Sequence, residues 1–371
     1  MMNARAALLV LALILSPLPA GIATAQAPAD PPDIALDEAA RAAVIDGLLE
    51  KIGRIYVFPD MAKAMERAIR DRQARKEYDA VTSGREFARI LTAHLREVCK
   101  DGHLDVEYSA AVIPEDPGRR PPDPGDVARF REAGRRRNYE YRKVERLDGG
   151  VGLLQVDGFY PGEWAGDTVA AAASFLANSE AIILDLRQNG GGAPTGVALL
   201  ASYFFDEETH LEDQFNRAEN ATRQYWTYPV VPGRKLANQD LYILTSGRTF
   251  SAPESLAYDL RALGRATIVG ETTGGGAHGT TPHRISDHFR ASIPFSRSIN
   301  PVTGTDWEGI GVKPDVAVPA DQALLTAHLL ALKKARTRHA DDPGLAGDLD
   351  RAIAGKTSEL NELKASRAGP R

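Results

Sequence analysis

A serine at the mouth of a predicted helix is the residue in this chain best placed to do chemistry. Leu241 to Thr245 reads as a buried strand, the residues up to Phe250 as a sharp turn, and Ser251-Ala252-Pro253-Glu254 as the start of a helix running to Leu260. A hydroxyl there can attack a carbonyl, while the unpaired N–H groups and partial positive charge of the helix end stabilise the oxyanion that forms. The same residues also fit a plain capping box, with Ser251 and Glu254 three apart and Pro253 in the first turn. This stretch alone leaves both readings open.

A second candidate is Asp185-Leu-Arg-Gln-Asn-Gly190-Gly191-Gly192, which leaves a buried strand through three glycines. Ligands meet open α/β sheets at such carboxyl ends, and glycines let bare backbone N–H groups approach a substrate. It matches neither phosphate-loop pattern, so a tight strand-to-helix turn is the competing reading. His278, His283 and His288 recur at intervals of five, without the helical i, i+4 spacing or neighbouring cysteines of a zinc site, so no metal is expected. Cys99 ends an amphipathic pattern from Phe87 and reads as a structural thiol.

The elements that must hold these residues fall into blocks. Residues 1–25 carry Arg5, an apolar run from Ala6 to Leu15 and an Ala23-Thr24-Ala25 site, the pattern of a signal peptide cleaved after Ala25. The apolar run is broken by Ser16, Pro17 and Pro19, too short for a stable membrane anchor, so a periplasmic or secreted protein is expected. After a linker at 26–35, residues 36–103 show helical periodicity, with Ala40, Val44, Leu48 and Ile52 on one face. Residues 104–150 include the proline-rich stretch from Pro114 to Asp126 and read as a connection or flap. From 151 to 320, short apolar strands (Val151–Val156, Ala181–Leu186, Leu241–Thr245, Ala266–Val269) alternate with helical stretches, which predicts a largely parallel α/β sheet with helices on both faces. His288 to Phe295 alternates less cleanly and suits an added antiparallel strand. Residues 321–371 read as a helical tail.

One cysteine in an exported chain excludes an intrachain disulfide, and a formal charge of -5 argues against nucleic acid as partner. The basic stretch from Arg129 to Arg146 fits a solvated face.

The ordered set Asp185-Leu-Arg-x-Asn-x-Gly-Gly, Ser251-Ala-Pro-Glu254, Gly264 through Gly270-Glu271-Thr-Thr-Gly-Gly-Gly276, and Gly311-Val-Lys-Pro-Asp315 resembles the C-terminal processing peptidase superfamily. It is most similar to the branch holding the tricorn core protease and interphotoreceptor retinoid-binding protein, and Tyr56-Val-Phe-Pro59 resembles that branch's N-terminal bundle. The resemblance spans roughly Val151 to Pro319 and implies a crotonase-like (ClpP-like) core. It implies Ser251 as nucleophile, with Ala252 N–H and an N–H of the glycine turn, Gly192 foremost and Gly191 beside it, as oxyanion hole. The position where processing peptidases carry a lysine base is Gly276 here, which removes a serine–lysine dyad from its usual place.

Tricorn-like members use a histidine and a glutamate instead. Lys100-Asp-Gly-His103 resembles the histidine segment and Gly304-Thr-Asp-Trp-Glu308 the glutamate segment, so His103 is implied as general base and Glu308 as supporting carboxylate to the serine or the histidine. Only 47 residues separate His103 from Val151, too few for a peptide-binding PDZ module. The resulting expectation is an exported serine peptidase acting on peptides or unfolded proteins, without a cofactor. A non-catalytic binder of small apolar ligands, and an esterase or amidase using the same serine, are the competing functions; the sequence leaves the oligomeric state open.

Overall fold

The computed structural model describes residues 33–115 and 123–368. The signal peptide, most of the linker, and residues 116–122 of the proline-rich stretch lie outside the described residues.

Three helices open the described chain: α1 (Glu38–Ile55), α2 (Pro59–Ala74) and α3 (Gly84–Cys99). Their ends follow from capping chemistry. Asp37 accepts from Ala40 N–H, Pro59 stands in the first turn of α2, Ser83 accepts from Glu86 N–H, and Lys100 closes α3 in the left-handed conformation with φ 58°. The buried faces (Leu48, Ile52, Met65, Phe87, Leu91) pack together and against Val106, Phe289, Ala291 and Ile293. Truncating Leu48, Ile52, Met65, Phe87 or Leu91 to alanine costs ~2–5 kcal/mol.

The segment expected to be only a connection contributes β1 (Asp105–Tyr108), α4 (Pro124–Arg136) and β2 (Tyr141–Arg146). The basic residues of α4 pair with neighbouring acids, as in Arg135 and Arg136 with Glu132, and make a solvated face.

The core alternates β3 (Val151–Val156), α5 (Gly162–Leu176), β4 (Ala181–Asp185) and α6 (Pro194–Ala201). It then inserts β5 (His210–Asn216) and β6 (Ala221–Trp226) before β7 (Asp240–Thr245), α7 (Ala252–Ala262) and β8 (Ala266–Gly270). After β9 (His278–Arg284), β10 (Phe289–Ile299) and β11 (Val316–Ala317), the chain ends in α8 (Ala323–Arg338) and α9 (Pro343–Ala368). The main sheet has the order β11-β8-β7-β4-β3-β2, parallel throughout except that β2 runs antiparallel to β3.

Strand periodicity explains why both faces are covered. In β4, Ile182 and Leu184 face the cluster formed with α5, α6 and α7, while Ala181 and Ile183 face α8 and α9. Leu241 and Ile243 of β7 follow the first pair, Tyr242 and Leu244 the second.

A second, antiparallel sheet was not foreseen from the sequence. It has the order β1-β10-β5-β6, with β9 also paired to β10. The strand expected near His288 to Phe295 is therefore the spine of a separate sheet, not an addition to the parallel one. Its apolar residues Phe289, Ala291 and Ile293 meet the N-terminal helices, joining the bundle to the core.

Candidate active site

Two loops leave the carboxyl ends of the adjacent parallel strands β4 and β7, and they are tied to each other. Asn189, fully buried, donates to Val156 O at 3.1 Å and accepts from Gly191 N–H at 3.0 Å, while its carbonyl accepts from Phe250 N–H at 3.2 Å. Thr249 Oγ1 donates to Leu186 O at 2.9 Å and Ser246 Oγ to Arg187 O at 2.7 Å. The glycine turn is thereby held against the serine turn: a methyl group at Gly191 would lie 3.7 Å from Ser251 Oγ.

Ser251 has φ 67° and ψ -122°, a conformation non-glycine residues rarely adopt and one that costs ~1–3 kcal/mol. Its N–H donates to Glu254 Oε2 at 2.6 Å and its side chain faces the Glu254 N–H, so the capping box is present with the hydroxyl too poorly placed for a full hydrogen bond. The hydroxyl proton has no acceptor among the described residues. Glu254 is fully buried and also accepts from Gly275 N–H at 2.7 Å, Gly276 N–H at 2.9 Å and the Thr273 hydroxyl. Burial raises its pKa, and these four donors work against that rise.

Gly191, expected as an oxyanion donor, has its N–H committed to Asn189. Gly192 N–H and Ala252 N–H form no hydrogen bond among the described residues, which leaves them as the open donors beside the serine. Gly192 has φ 140°, and a methyl there would fall 2.0 Å from Phe159 O, so only glycine fits.

His103 sits in a turn stitched by Arg96, which donates to Gly102 O at 2.9 Å and Leu104 O at 2.7 Å. Its own N–H donates to Asp101 Oδ1 at 3.0 Å. The ring packs on Phe250 with centroids 4.5 Å apart, and its buried Nδ1 has no partner. Burial pushes its pKa down to about 4, outweighing the nearby Asp101 charge, so the imidazole is neutral at pH 7. Gly276 explains why no lysine stands at its position: a methyl there would lie 2.6 Å from His103 Cε1 and 2.3 Å from Phe250 Cζ. The space a lysine would need is filled by the imidazole and its aromatic support.

Glu308 forms no hydrogen bond with Ser251 or with the His103 ring among the described residues. Its Oε2 accepts from Ala277 N–H at 2.6 Å and lies 3.5 Å from His278 Nδ1, while Oε1 is buried and unpartnered. Burial pushes its pKa up to about 7 against the pull of His278.

From the sequence, His278 is weighed only as one of three histidines short of a zinc site, and the structure gives it a different partner. Its Nδ1 is 2.7 Å from Asp101 Oδ2, which also accepts from Tyr56 OH at 3.0 Å. Asp101 is fully buried, and although burial opposes ionisation, the His278 bond and charge hold its pKa low. One ligand atom each from Asp101, His278 and Glu308 lie within 4.8 Å of one another, a spacing a cation could bridge, but His278 and Asp101 already satisfy each other. Neither His283 nor His288 joins this group. The pairing spans 177 positions, so no local motif could announce it.

Ser251, His103, His278, Gly192 and Ala252 line one cavity of about 750 Å³, the size of a pocket for a peptide side chain or small ligand. Phe130, Phe159 and Tyr160 supply aromatic wall, and Tyr225 of β6 joins them. An accessible hydroxyl on a strained turn, two open N–H donors and a neutral imidazole in one cleft can carry out acyl transfer. Cys99, half-buried and with its thiol pKa raised by burial, takes no part.

Comparison with known proteins identifies the family. Residues 150–318 match peptidase family S41, and residues 33–129 match the N-terminal domain of peptidase S41 in eukaryotic IRBP. The chain is 30% identical over 139 residues to a carboxyl-terminal-processing protease from a Picosynechococcus strain, a match covering 38% of this chain and 32% of that protein. The chain thus spans about a third of that relative's length. A candidate peptidase structure from Parabacteroides merdae shares the fold, with TM-score 0.56 and 19% identity over 79% of this chain and 96% of that one. The photosystem II D1 C-terminal processing protease aligns with TM-score 0.47 and 15% identity, over 76% of this chain and 93% of its own.

Proposed function

Because the chain belongs to peptidase family S41, we propose that it is an exported serine peptidase that cleaves peptide bonds through an acyl-enzyme on Ser251. His103 takes the serine proton as Oγ attacks the carbonyl carbon, and returns it to the leaving amine. Gly192 N–H and Ala252 N–H receive the oxyanion. Water then attacks the ester with His103 again as base, releasing the acid and restoring the serine. Glu308 Oε1 and His103 Nδ1 are both buried and unpartnered, and a hydrogen bond between them would satisfy both and fix the imidazole tautomer.

The observation that carries this reading is the free, strained Ser251 beside two open N–H groups, with a histidine held neutral in the same cavity. The signal-peptide pattern ending at Ala25 supports export. Labelling by a fluorophosphonate probe tests the nucleophile: wild type is expected to label and Ser251→Ala is not. Equal labelling of the two proteins would reject Ser251.

The match to the IRBP N-terminal domain and the aromatic wall of the cavity favour one second reading, a binder of small apolar ligands. Saturable binding of a hydrophobic dye with no labelling of wild type would favour it over catalysis.

A further inference from the structure

Helix α4 stands at the rim of the cavity that holds Ser251, and little fastens it there. Of its 13 residues only Gly134 is buried, and its ion pairs (Arg129 with Asp126, Arg135 and Arg136 with Glu132) stay within the helix among the described residues. Its seat on the core is aromatic. The Phe130 ring stacks on Tyr160 with centroids 5.0 Å apart and planes inclined by 25°, and it meets Trp164 edge-on at 5.8 Å. Tyr139 closes on Tyr160 from another side at 5.6 Å. Gly134 permits the close approach of the helix: a methyl there would fall 2.5 Å from Tyr160 Cε1.

Phe130 nevertheless stays 54% exposed, and both it and Tyr160 line the cavity. A lone exposed apolar ring elsewhere on a surface needs no explanation. This one differs because a peptide laid across Ser251 occupies the same cavity. The distance from the chemistry is set by Phe159. It forms a parallel bridge with Gly192: its N–H donates to Gly191 O at 3.0 Å and its carbonyl accepts from Ala193 N–H at 2.7 Å. Tyr160 is the next residue, about 3.3 Å further along an extended backbone. The ring pair therefore stands beside the Gly192 donor, within one or two peptide units of the bond under attack.

We propose that Phe130 and Tyr160 form a specificity subsite for a large apolar side chain, aromatic above all, carried by the peptide at one of the two residues flanking the scissile bond. This rests on the reading of Ser251 as nucleophile. The substrate side chain lies against the open face of Phe130 and completes the burial that α4 leaves unfinished. Gly134 fixes how closely Phe130 rides over Tyr160, so the seating of α4 sets the width of the subsite.

The experiment uses two internally quenched peptides, identical except that the two central residues are Phe-Phe in one and Ala-Ala in the other, with the cleaved bond read by mass spectrometry. Wild type is expected to cut the Phe-Phe peptide between its central residues with kcat/KM at least ~10-fold higher, the order expected for enclosing an aromatic side chain. In Phe130→Ala that ratio should fall toward one, mainly through KM, and Phe130→Leu should recover part of it. Gly134→Ala, which lifts the helix off Tyr160 and leaves the cavity lining unaltered, should also lower the ratio. Because the ratio is internal to each protein, any general loss of activity cancels. A wild-type ratio near one, a ratio unmoved by Phe130→Ala, or no cut between the central residues, each with Ser251 labelled by fluorophosphonate, overturns the subsite and leaves the nucleophile standing. An unmoved ratio with loss of self-association in sedimentation of Phe130→Ala overturns it too, and assigns the ring to contact between copies. Failure of fluorophosphonate to label Ser251 overturns the nucleophile, and the subsite with it.

Discussion

Two histidines border the cleft, and they are built in opposite ways. His103 stands on a tight turn, makes no side-chain hydrogen bond, leans on Phe250 and is neutral because burial drives its pKa to about 4. His278 is clamped by Asp101, which is itself held by Tyr56, and the Asp101 bond and charge outweigh burial to raise its pKa. A general base must arrive unprotonated, and burial holds His103 in that form, whereas the Asp101 bond shifts His278 toward its charged form. This histidine–carboxylate couple joins Tyr56, at the end of the first helix, to the first residue of β9.

The largest test of this contrast is paired substitution. His103→Ala is expected to lower kcat by ~10²–10⁴-fold with an unchanged circular dichroism spectrum. His278→Ala should lower kcat ~10-fold or less while reducing Tm, through the loss of its buried partner. A reversed order would transfer the base role to His278. The next effect is steric. Gly276→Ala should push the imidazole off Phe250 and cut kcat/KM by ~10–100-fold, with an overpacking cost of ~1–3 kcal/mol in urea unfolding. Near-normal kinetics would show that His103 need not stay where it is.

The smallest and most diagnostic effect is in pH dependence. If His103 is the base, kcat/KM falls as pH drops through about 4, because protonation removes the lone pair. With His278 as base, the acid limb would instead lie above the ordinary histidine value of 6.5, since that ring is shifted up. A limb in the second range would overturn the assignment.

Much of this architecture could be read from the chain before any coordinates. The parallel strands declare themselves because residues buried on both faces form apolar runs such as Ala181-Ile-Ile-Leu, and the serine and glycine turns follow from glycine and capping patterns. The second sheet was hidden because β5, β6 and β9 are polar, and the pairing of β5 to β10 joins residues up to 86 positions apart, as for Ile299 with Asp213. Glu308 was found by resemblance, but its neighbour was not, because Ala277 and His278 are brought to it only by the folded loop. Gly191 was implied as a donor by the resemblance, and the competing acceptor, the Asn189 side chain two residues earlier, takes its N–H instead.

Glu254 has a further implication. One carboxylate fixes the amide of Ser251 and the amides of Gly275 and Gly276, and Gly276 in turn abuts the His103 ring. Serine and imidazole therefore take their coordinates from a shared origin. A displacement of the 271–276 loop is transmitted to both at once, so their separation is conserved while the cleft around them changes shape, and a substrate must align itself to this fixed pair.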